Sequence, residues 1–472
     1  MGLDLDFMFH PRSIAVVGAS QDATKRGYGY VDALLHHGYK GPIYVINPRG
    51  QDVLGLKGYR SLLEVPGPVD YVISSIPATV VLQLVDESAK KGVKVIHFFT
   101  ARFSETGHAE GIQLERDLLR KAKGANIRVL GPNCMGIYYP AGGLSFMRFS
   151  KEKGGVGILS QSGGNVSEIV FLANLRGVHF SKAVSFGNAF DINESDLVEY
   201  FTEDPETEVI AAYVEGVRDG PRFIRAIRAA TERKPVIVLK GGNTEAGTRA
   251  VASHTASLAG SRRIWEAAAS QTNAVLVDSL EELVDMLVAF RFGKPVYGTR
   301  VGVIGGGGGR SVEAADTCER AGLKVQPVPP SVREEFKKRS PNFWDWISNP
   351  VDGSILRGSG LDERAILQLL AASPEYDFFI TNVREMWTAD SPEDIQNIRS
   401  SLDGYLDVSK NIGKTLFLVE NDMVTNFSWQ NEAMAANRRK SIQEGVATFP
   451  SIHRAARALS RLSTYYRNRK AR

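Results

Sequence analysis

The chain is expected to be an α/β protein built from doubly wound parallel sheets, and three observations lead there. Short Val/Ile-rich runs alternate with amphipathic stretches along all 472 residues. The runs are unbroken by polar positions, as in strands covered on both faces. Several lead directly into Gly-rich turns: Val17-Gly18-Ala19-Ser20, Ser160-Gln161-Ser162-Gly163, and the glycine run 305–309. Alternation of this kind builds a parallel sheet with helices packed on its faces. At roughly 100–200 residues per domain, the length corresponds to about three domains.

In the first series the expected strands are 13–17, 43–46, 71–74, 93–98 and 127–130, with helices near 30–37, 80–91 and 112–123. A second series has strands at 156–159, 183–186, 209–214, 236–240 and 274–277. Its helices fall near 165–174, 194–201, 221–231 and 262–270, and 281–292 closes it. The third series places strands at 301–304, 378–383 and 415–418, then an amphipathic helix at 451–466 and a basic tail at 467–472. Linkers with Gly and Pro at 139–153 and 293–299 divide the chain into expected domains 1–145, 150–295 and 298–472.

Composition excludes several classes of function. A net charge of +4, dispersed along the chain, does not supply the basic surface of a nucleic-acid binder. Two cysteines, Cys134 and Cys318, encode no disulfide framework and point to a reducing compartment. No apolar run reaches the ~18 residues of a membrane span, and residues 1–9 lack the basic n-region of a signal peptide. A cytoplasmic location is the expectation.

Ligands of open parallel sheets bind outside the carboxyl ends of the strands, where a helix N-terminus favours phosphate. The turn Gly18-Ala19-Ser20 is a candidate anion site, with Lys25 and Arg49 able to supply charge; it is not the G-x-G-x-x-G of a dinucleotide fold. The turn Ser160-Gln161-Ser162-Gly163 offers hydroxyls and a helix start for a phosphoryl group. The run 305–309 reads equally as a ligand-approached loop or a flexible connector. The eight histidines show no metal-ligand spacing, and no metal site is expected. His254 stands apart, in a loop of small and hydroxyl residues, Ser253-His254-Thr255-Ala256-Ser257-Leu258-Ala259-Gly260-Ser261. Glu215 ends a strand, in Tyr213-Val214-Glu215-Gly216, where a carboxylate points into the crevice. It can accept an imidazole N–H and so fix the tautomer.

Taken in order, these segments resemble the nucleoside-diphosphate-forming acyl-CoA synthetases, the relatives of succinyl-CoA synthetase, and more narrowly the α subunits of ADP-forming acetate–CoA ligases. The resemblance is carried by Val16-Val17-Gly18-Ala19-Ser20, Val45-Ile46-Asn47-Pro48-Arg49-Gly50, Gly131-Pro132-Asn133-Cys134-Met135-Gly136, Ser160-Gln161-Ser162-Gly163, Ser185-Phe186-Gly187-Asn188, Val214-Glu215-Gly216, Lys240-Gly241-Gly242 and the 253–261 loop.

The resemblance implies a Rossmann-like CoA-binding domain followed by two flavodoxin-like domains. It implies that CoA meets Gly18, Ala19, Ser20, Lys25, Pro48 and Arg49, with Ile76, Pro77, Asn133 and Cys134 along the pantetheine and thiol path. His254 corresponds to a transiently phosphorylated histidine, Glu215 to its orienting carboxylate, and Ser160, Gln161, Ser162 and Gly163 to the turn that holds the phosphoryl group. It further implies an ATP-grasp β subunit, which handles ATP and Mg²⁺, and an α2β2 assembly without nucleic acid or membrane. The alternative is a non-catalytic CoA- or acyl-CoA-binding regulatory subunit. Departures from the family pattern are Arg49 where Lys is usual, Thr100-Ala101-Arg102-Phe103-Ser104-Glu105 where a shorter small-residue turn is common, and the glycine run 305–309 where an Asn-Ser-Gly-Gly type turn is common.

Overall fold

A computed structural model describes residues 5–255, 261–356, 360–384, 389 and 391–471; the side chains of 252–255 and of 392 lie outside the description. The chain forms two compact units, Met1–Leu283 and Val284–Arg472.

The first unit holds two six-stranded sheets. Sheet one comprises β1 (Ile14–Val17), β2 (Ile43–Ile46), β3 (Gly58–Tyr59), β4 (Tyr71–Ser74), β5 (Val95–Phe98) and β6 (Arg128–Leu130). Their order is β3-β2-β1-β4-β5-β6, all parallel. β1 runs at the centre with every residue buried, and each such Val or Ile contributes roughly 1.5–3 kcal/mol on burial. Sheet two comprises β7 (Gly136–Tyr138), β8 (Lys153–Ser160), β9 (Phe180–Ser185), β10 (Val209–Val214), β11 (Val236–Lys240) and β12 (Val275–Val277). The order is β12-β11-β10-β8-β9-β7. β7 lies on the first-domain side of the boundary expected from the sequence, yet it pairs antiparallel with β9.

The second unit contains a parallel sheet in the order β13-β14-β15-β16, from β13 (Val301–Ile304), β14 (Phe378–Asn382), β15 (Thr415–Val419) and β16 (Ala447–Phe449). Its glycine run enters the helix Gly308–Arg320. Two segments differ from expectation. Residues 467–471 are not a tail: the helix Ile452–Ala471 runs through them. Arg and Lys are good helix formers, and Arg469 donates back to the Tyr465 hydroxyl one turn earlier at 2.9 Å. Residues up to Thr255 are not loop either. The helix Glu245–Thr255 includes the backbone of His254, because Glu, Arg and repeated Ala favour helix through that stretch.

A buried lysine fastens the N-terminal helix Asp6–Phe9 to sheet two. Lys182 of β9 is 1% exposed and donates to Asp204 at 2.8 Å and Glu206 at 2.6 Å. Its ammonium lies 4.7 Å from the Tyr139 ring centroid and 5.7 Å from that of Phe9. Asp204→Ala is expected to cost about 3 kcal/mol, the low end for breaking a buried pair, because Glu206 still holds the cation. Lys182→Met is expected to cost markedly less; urea unfolding of the two variants checks the order.

Burial also sets the acid limit of this unit. His97 is 1% exposed, stacked on Tyr71 and edge-on to Tyr30, and desolvation pulls its pKa down to about 4. His37 is likewise pulled to about 4, by burial and by the neighbouring His36. In the unfolded chain both titrate near the ordinary value of about 6.5. The unfolded state therefore binds more protons between the two values, so stability is full above pH ~6.5 and falls as pH drops toward 4. Urea midpoints measured across that range are expected to fall, and His97→Gln is expected to flatten the slope.

Candidate active site

The carboxyl ends of β8, β10 and β11 meet along one edge of sheet two, since these strands are neighbours in register. β8 ends at Ser160, whose hydroxyl donates to the Ser162 carbonyl at 2.7 Å and accepts the Ser162 N–H at 3.2 Å. Ser162 then caps the helix Gly163–Leu175, its hydroxyl oxygen accepting the Asn165 N–H at 3.3 Å. The first N–H groups of any helix lack intrahelical acceptors. Here those of Gly163 and Gly164 have none among the described residues, and they face the edge with the positive end of the helix dipole. Glycine is required at 163, since a Cβ there would lie 2.4 Å from Cγ of Met135.

Gln161 is 3% exposed, and its side-chain oxygen accepts the backbone N–H groups of Glu215 and, at 3.0 Å, Gly216. The turns after β8 and β10 are thereby tied together. Glu215 is 4% exposed and accepts the Tyr213 hydroxyl at 3.1 Å. Burial, reinforced by this carboxylate, holds the Tyr213 phenol well above its ordinary pKa. Beside them, Lys240 ends β11 at 2% exposure. Its ammonium donates to the Gly241 carbonyl and lies 5.8 Å from the Trp265 ring centroid. Burial lowers the Lys240 pKa, and the charge of Glu215 opposes that shift.

From this edge the helix Glu245–Thr255 departs, with the Gly247 N–H bonded to the Thr244 hydroxyl at 3.0 Å. It packs against the 3-10 turn Ser104–Thr106 of sheet one. His254 lies in its final turn by backbone; its side chain, and with it the expected pairing to Glu215, lies outside the described residues. Residues 256–260 of the expected loop do so as well.

The facing edge of sheet one gathers the remaining candidates at the carboxyl ends of β1, β2, β4 and β6. Gly18 takes φ +91°, and a Cβ there would lie 2.6 Å from the Ser75 carbonyl oxygen. Gly27 lets the helix Arg26–His37 sit on this turn, because a Cβ at 27 would lie 2.0 Å from the Gly18 oxygen. Ala19 donates to the Ile46 carbonyl at 3.1 Å, and the Ser20 hydroxyl accepts the Asp22 N–H at 3.1 Å. Lys25, Pro48 and Arg49 are exposed. Ile76 is half-buried and Pro77 exposed, with the Ile76 carbonyl accepting the Thr100 hydroxyl at 2.7 Å. Asn133 is half-buried at φ +58°. Cys134 differs: it is 3% exposed, its thiol faces the Phe98 carbonyl at 3.8 Å, and burial pushes its pKa up. Its side chain is buried beneath the edge.

A partly buried turn with close backbone approach, with the exposed cations Lys25 and Arg49 on the segments that follow β1 and β2, fits a phosphate-bearing ligand such as CoA. No cluster of three or more His, Cys, Asp or Glu that could hold a metal occurs among the described residues. No described helix is long and apolar enough to cross a membrane.

Comparison with known proteins agrees with this division. Residues 12–140 match a CoA binding domain, and residues 153–290 match the succinyl-CoA ligase like flavodoxin domain. The α subunit of acetate–CoA ligase [ADP-forming] II from Pyrococcus furiosus is 39% identical over 378 residues, covering 80% of this chain and 81% of that protein. The chain belongs to the ADP-forming acyl-CoA ligase α-subunit family. An acetate–CoA ligase [ADP-forming] from Methanocaldococcus jannaschii is 39% identical over 351 residues, 74% of this chain and 49% of that longer protein. The solved structure of the dinucleotide forming acetyl-coenzyme A synthetase 1 from Ca. Korarchaeum cryptofilum, in complex with phosphate and ADP, superposes with a TM-score of 0.81 at 32% identity, covering 99% of this chain and 98% of that one.

Sequence reasoning assigned no role to three residues of this ligase α chain. Tyr213 stands two positions before Glu215 and so on the same strand face; that spacing was the available signal. Lys240 closes an apolar strand with a charge. Glu105 binds the 100–106 turn to sheet two, accepting the Phe103 N–H at 3.0 Å and the Asn188 amide at 2.7 Å. Nothing local in the sequence announces that last contact.

Gly241 lies directly against the Tyr213–Glu215 pair. A Cβ there would lie 2.6 Å from the Tyr213 hydroxyl and 3.4 Å from Cγ of Glu215. Gly241→Ala is expected to displace the Tyr213–Glu215 pair and lower kcat at least tenfold, about 1.4 kcal/mol; steady-state kinetics of the assembled ligase check this.

Proposed function

We propose that the chain is the α subunit of an NDP-forming, ADP-producing acyl-CoA ligase. The reaction is the reversible conversion of ATP, a carboxylic acid and CoA to acyl-CoA, ADP and phosphate. One observation supports this above the rest: an open helix N-terminus, the buried Glu215 and the helix bearing His254 converge on one edge, and that helix packs on sheet one beside the Ile76–Asn133 edge.

A carboxylate is a poor electrophile toward a thiol, and activation as an acyl phosphate supplies a good leaving group. Imidazole with an ordinary pKa of about 6.5 is mostly neutral and nucleophilic at pH 7. In this reading a ring nitrogen of His254 forms the P–N bond as the phosphoryl donor's P–O bond breaks. The other ring nitrogen donates its N–H to Glu215, which stabilises the imidazolium. The Gly163 and Gly164 N–H groups and the helix dipole hold the phosphoryl oxygens, since phosphoryl transfer is mainly positioning and charge stabilisation. A carboxylate oxygen then attacks phosphorus, the P–N bond breaks, and the acyl phosphate forms. The CoA sulfur bonds to the acyl carbon as its S–H bond breaks, and phosphate departs with the C–O electron pair and takes up that proton.

Gly18 to Ser20, Lys25 and Arg49 bind the nucleotide and phosphate end of CoA, and Ile76, Pro77 and Asn133 guide its pantetheine. ATP and Mg²⁺ belong to an ATP-grasp β subunit in an α2β2 assembly. The His254 segment serves both the phosphoryl-donor site and the CoA site.

His254→Ala is expected to abolish ligation and acid-labile phosphate incorporation while leaving CoA affinity within twofold. Intact-mass analysis in alkaline buffer and calorimetry check the two halves. Retained turnover would overturn the covalent route. Glu215→Gln is expected to slow phosphorylation by roughly 10²-fold, the scale of a lost acid–base or orienting partner, with an unchanged melting profile; quenched-flow phosphorylation measures it.

A further inference from the structure

Arg102 follows β5 with φ +83°, a backbone conformation that disfavours any residue with a Cβ. The turn holds it there firmly. Glu105 accepts the backbone N–H groups of both Arg102 and Phe103 and receives the Asn188 amide from sheet two. Thr100 is fixed from both sides: its hydroxyl donates to the Ile76 carbonyl at 2.7 Å, and its carbonyl accepts the Asn133 N–H at 2.9 Å. The guanidinium itself is exposed and has no hydrogen-bond or ion-pair partner among the described residues. A strained backbone that its surroundings over-determine, carrying an unspent bidentate cation, is a device for holding an anion.

The position narrows which anion. In the order β3-β2-β1-β4-β5-β6, β5 lies two strands from β1 and three from β2, or about 10 and 15 Å at the usual strand spacing. Arg102 is therefore remote from the Gly18 turn, Lys25 and Arg49, which sit after β1 and β2. It lies instead after the strand between β4 and β6, whose ends carry Ile76, Pro77 and Asn133. The helix that bears His254 packs on the same turn, at Ser104–Thr106.

We infer that Arg102 binds the reacting anion at the thiol end of the crevice: an oxygen anion of the carboxylate substrate or of the phosphoryl group it exchanges. The inference rests on the ligase reading above. Two like charges must approach there, the carboxylate and the phosphoryl group, and a guanidinium offset from CoA's own phosphates lowers their repulsion. The backbone strain at 102 is retained for that purpose.

The variants Arg102→Gly and Arg102→Lys, assembled with the partner subunit, test this. The probe is whichever of acetate, butyrate, isovalerate, phenylacetate and succinate the parent complex ligates fastest, with inorganic phosphate as the probe in the reverse direction. Arg102→Gly relieves the backbone, so its Tm is expected to stay level or rise by up to about 3 °C. Its KM for the carboxylate, for phosphate, or for both is expected to rise at least tenfold, with the KM for CoA within twofold. A rise for the acid alone assigns the carboxylate, and a rise for phosphate alone assigns the phosphoryl oxygens. Arg102→Lys keeps the charge without the fork and is expected to fall between. An unchanged KM for both anions, or a loss confined to CoA, overturns the inference while leaving the ligase reading standing. A parent complex that ligates no acid overturns the ligase reading itself, and this inference with it.

Discussion

Two backbone N–H groups donating to one buried amide oxygen hold the active edge together. Gln161 leaves β8 and receives Glu215 and Gly216 as they leave β10. Without that oxygen, both N–H groups sit buried at the point where the ladder has run out. Each unsatisfied donor costs roughly 1–3 kcal/mol. The geometry of everything downstream follows. With its backbone pinned, Glu215 presents its carboxylate to Tyr213 rather than to solvent. Gly241 must then be glycine to pass beneath the pair. The chain can leave β11 over the edge toward the helix Glu245–Thr255 only because no side chain blocks it there.

Two buried lysines in the same sheet are satisfied in different ways. Lys182 is 1% exposed and has two carboxylates, Asp204 and Glu206, within 2.8 Å, so its charge is spent within the sheet-two domain. Lys240 is 2% exposed, but its direct partner among the described residues is the neutral carbonyl of Gly241. Burying an ammionium without a counter-ion in contact is costly, and the lowered pKa of Lys240 is the signature of that cost. The nearby charge of Glu215 offsets part of that cost. Lys182 is thus satisfied by charge inside the ladder, and Lys240 by a carbonyl at a strand's end.

The parallel strands were readable because burial on both faces leaves near-continuous Val and Ile, as in β1, β10 and β11. The strands that escaped were of another kind. β3 has two residues, too few for any periodicity. β7 is a short antiparallel edge whose Gly136-Ile137-Tyr138 reads as part of the preceding turn. β16 is three residues following a glycine-containing turn. The site was legible at strand ends, where Ser160 to Gly163 and Glu215 combine a turn signal with a functional group. It was not legible where it depends on distant pairing. Asn188 and Glu105 are 83 residues apart in sequence and 2.7 Å apart in space. The small residues around His254 read as loop, but Ala and Arg within the preceding stretch carry helix through Thr255.

Directional bonds join the two sheets of the first unit at the crevice. Arg128 of β6 donates to Asp191 at 3.0 Å, and the Asp191 carboxylate also accepts the Val129 N–H at 2.7 Å. The Met135 N–H donates to the Ser185 hydroxyl at 3.0 Å, and the Asn188 N–H to the Pro132 carbonyl at 3.0 Å. These contacts fix the edge that fits CoA relative to the edge that fits a phosphoryl group. The helix Glu245–Thr255 leaves the sheet-two edge and packs on the Ser104–Thr106 turn. It follows Gly242, at φ +78°, and is fastened at its origin by the Thr244 cap. It is mostly exposed along its first two turns. The directional bonds set the two edges relative to each other, and this helix spans from the one toward the other.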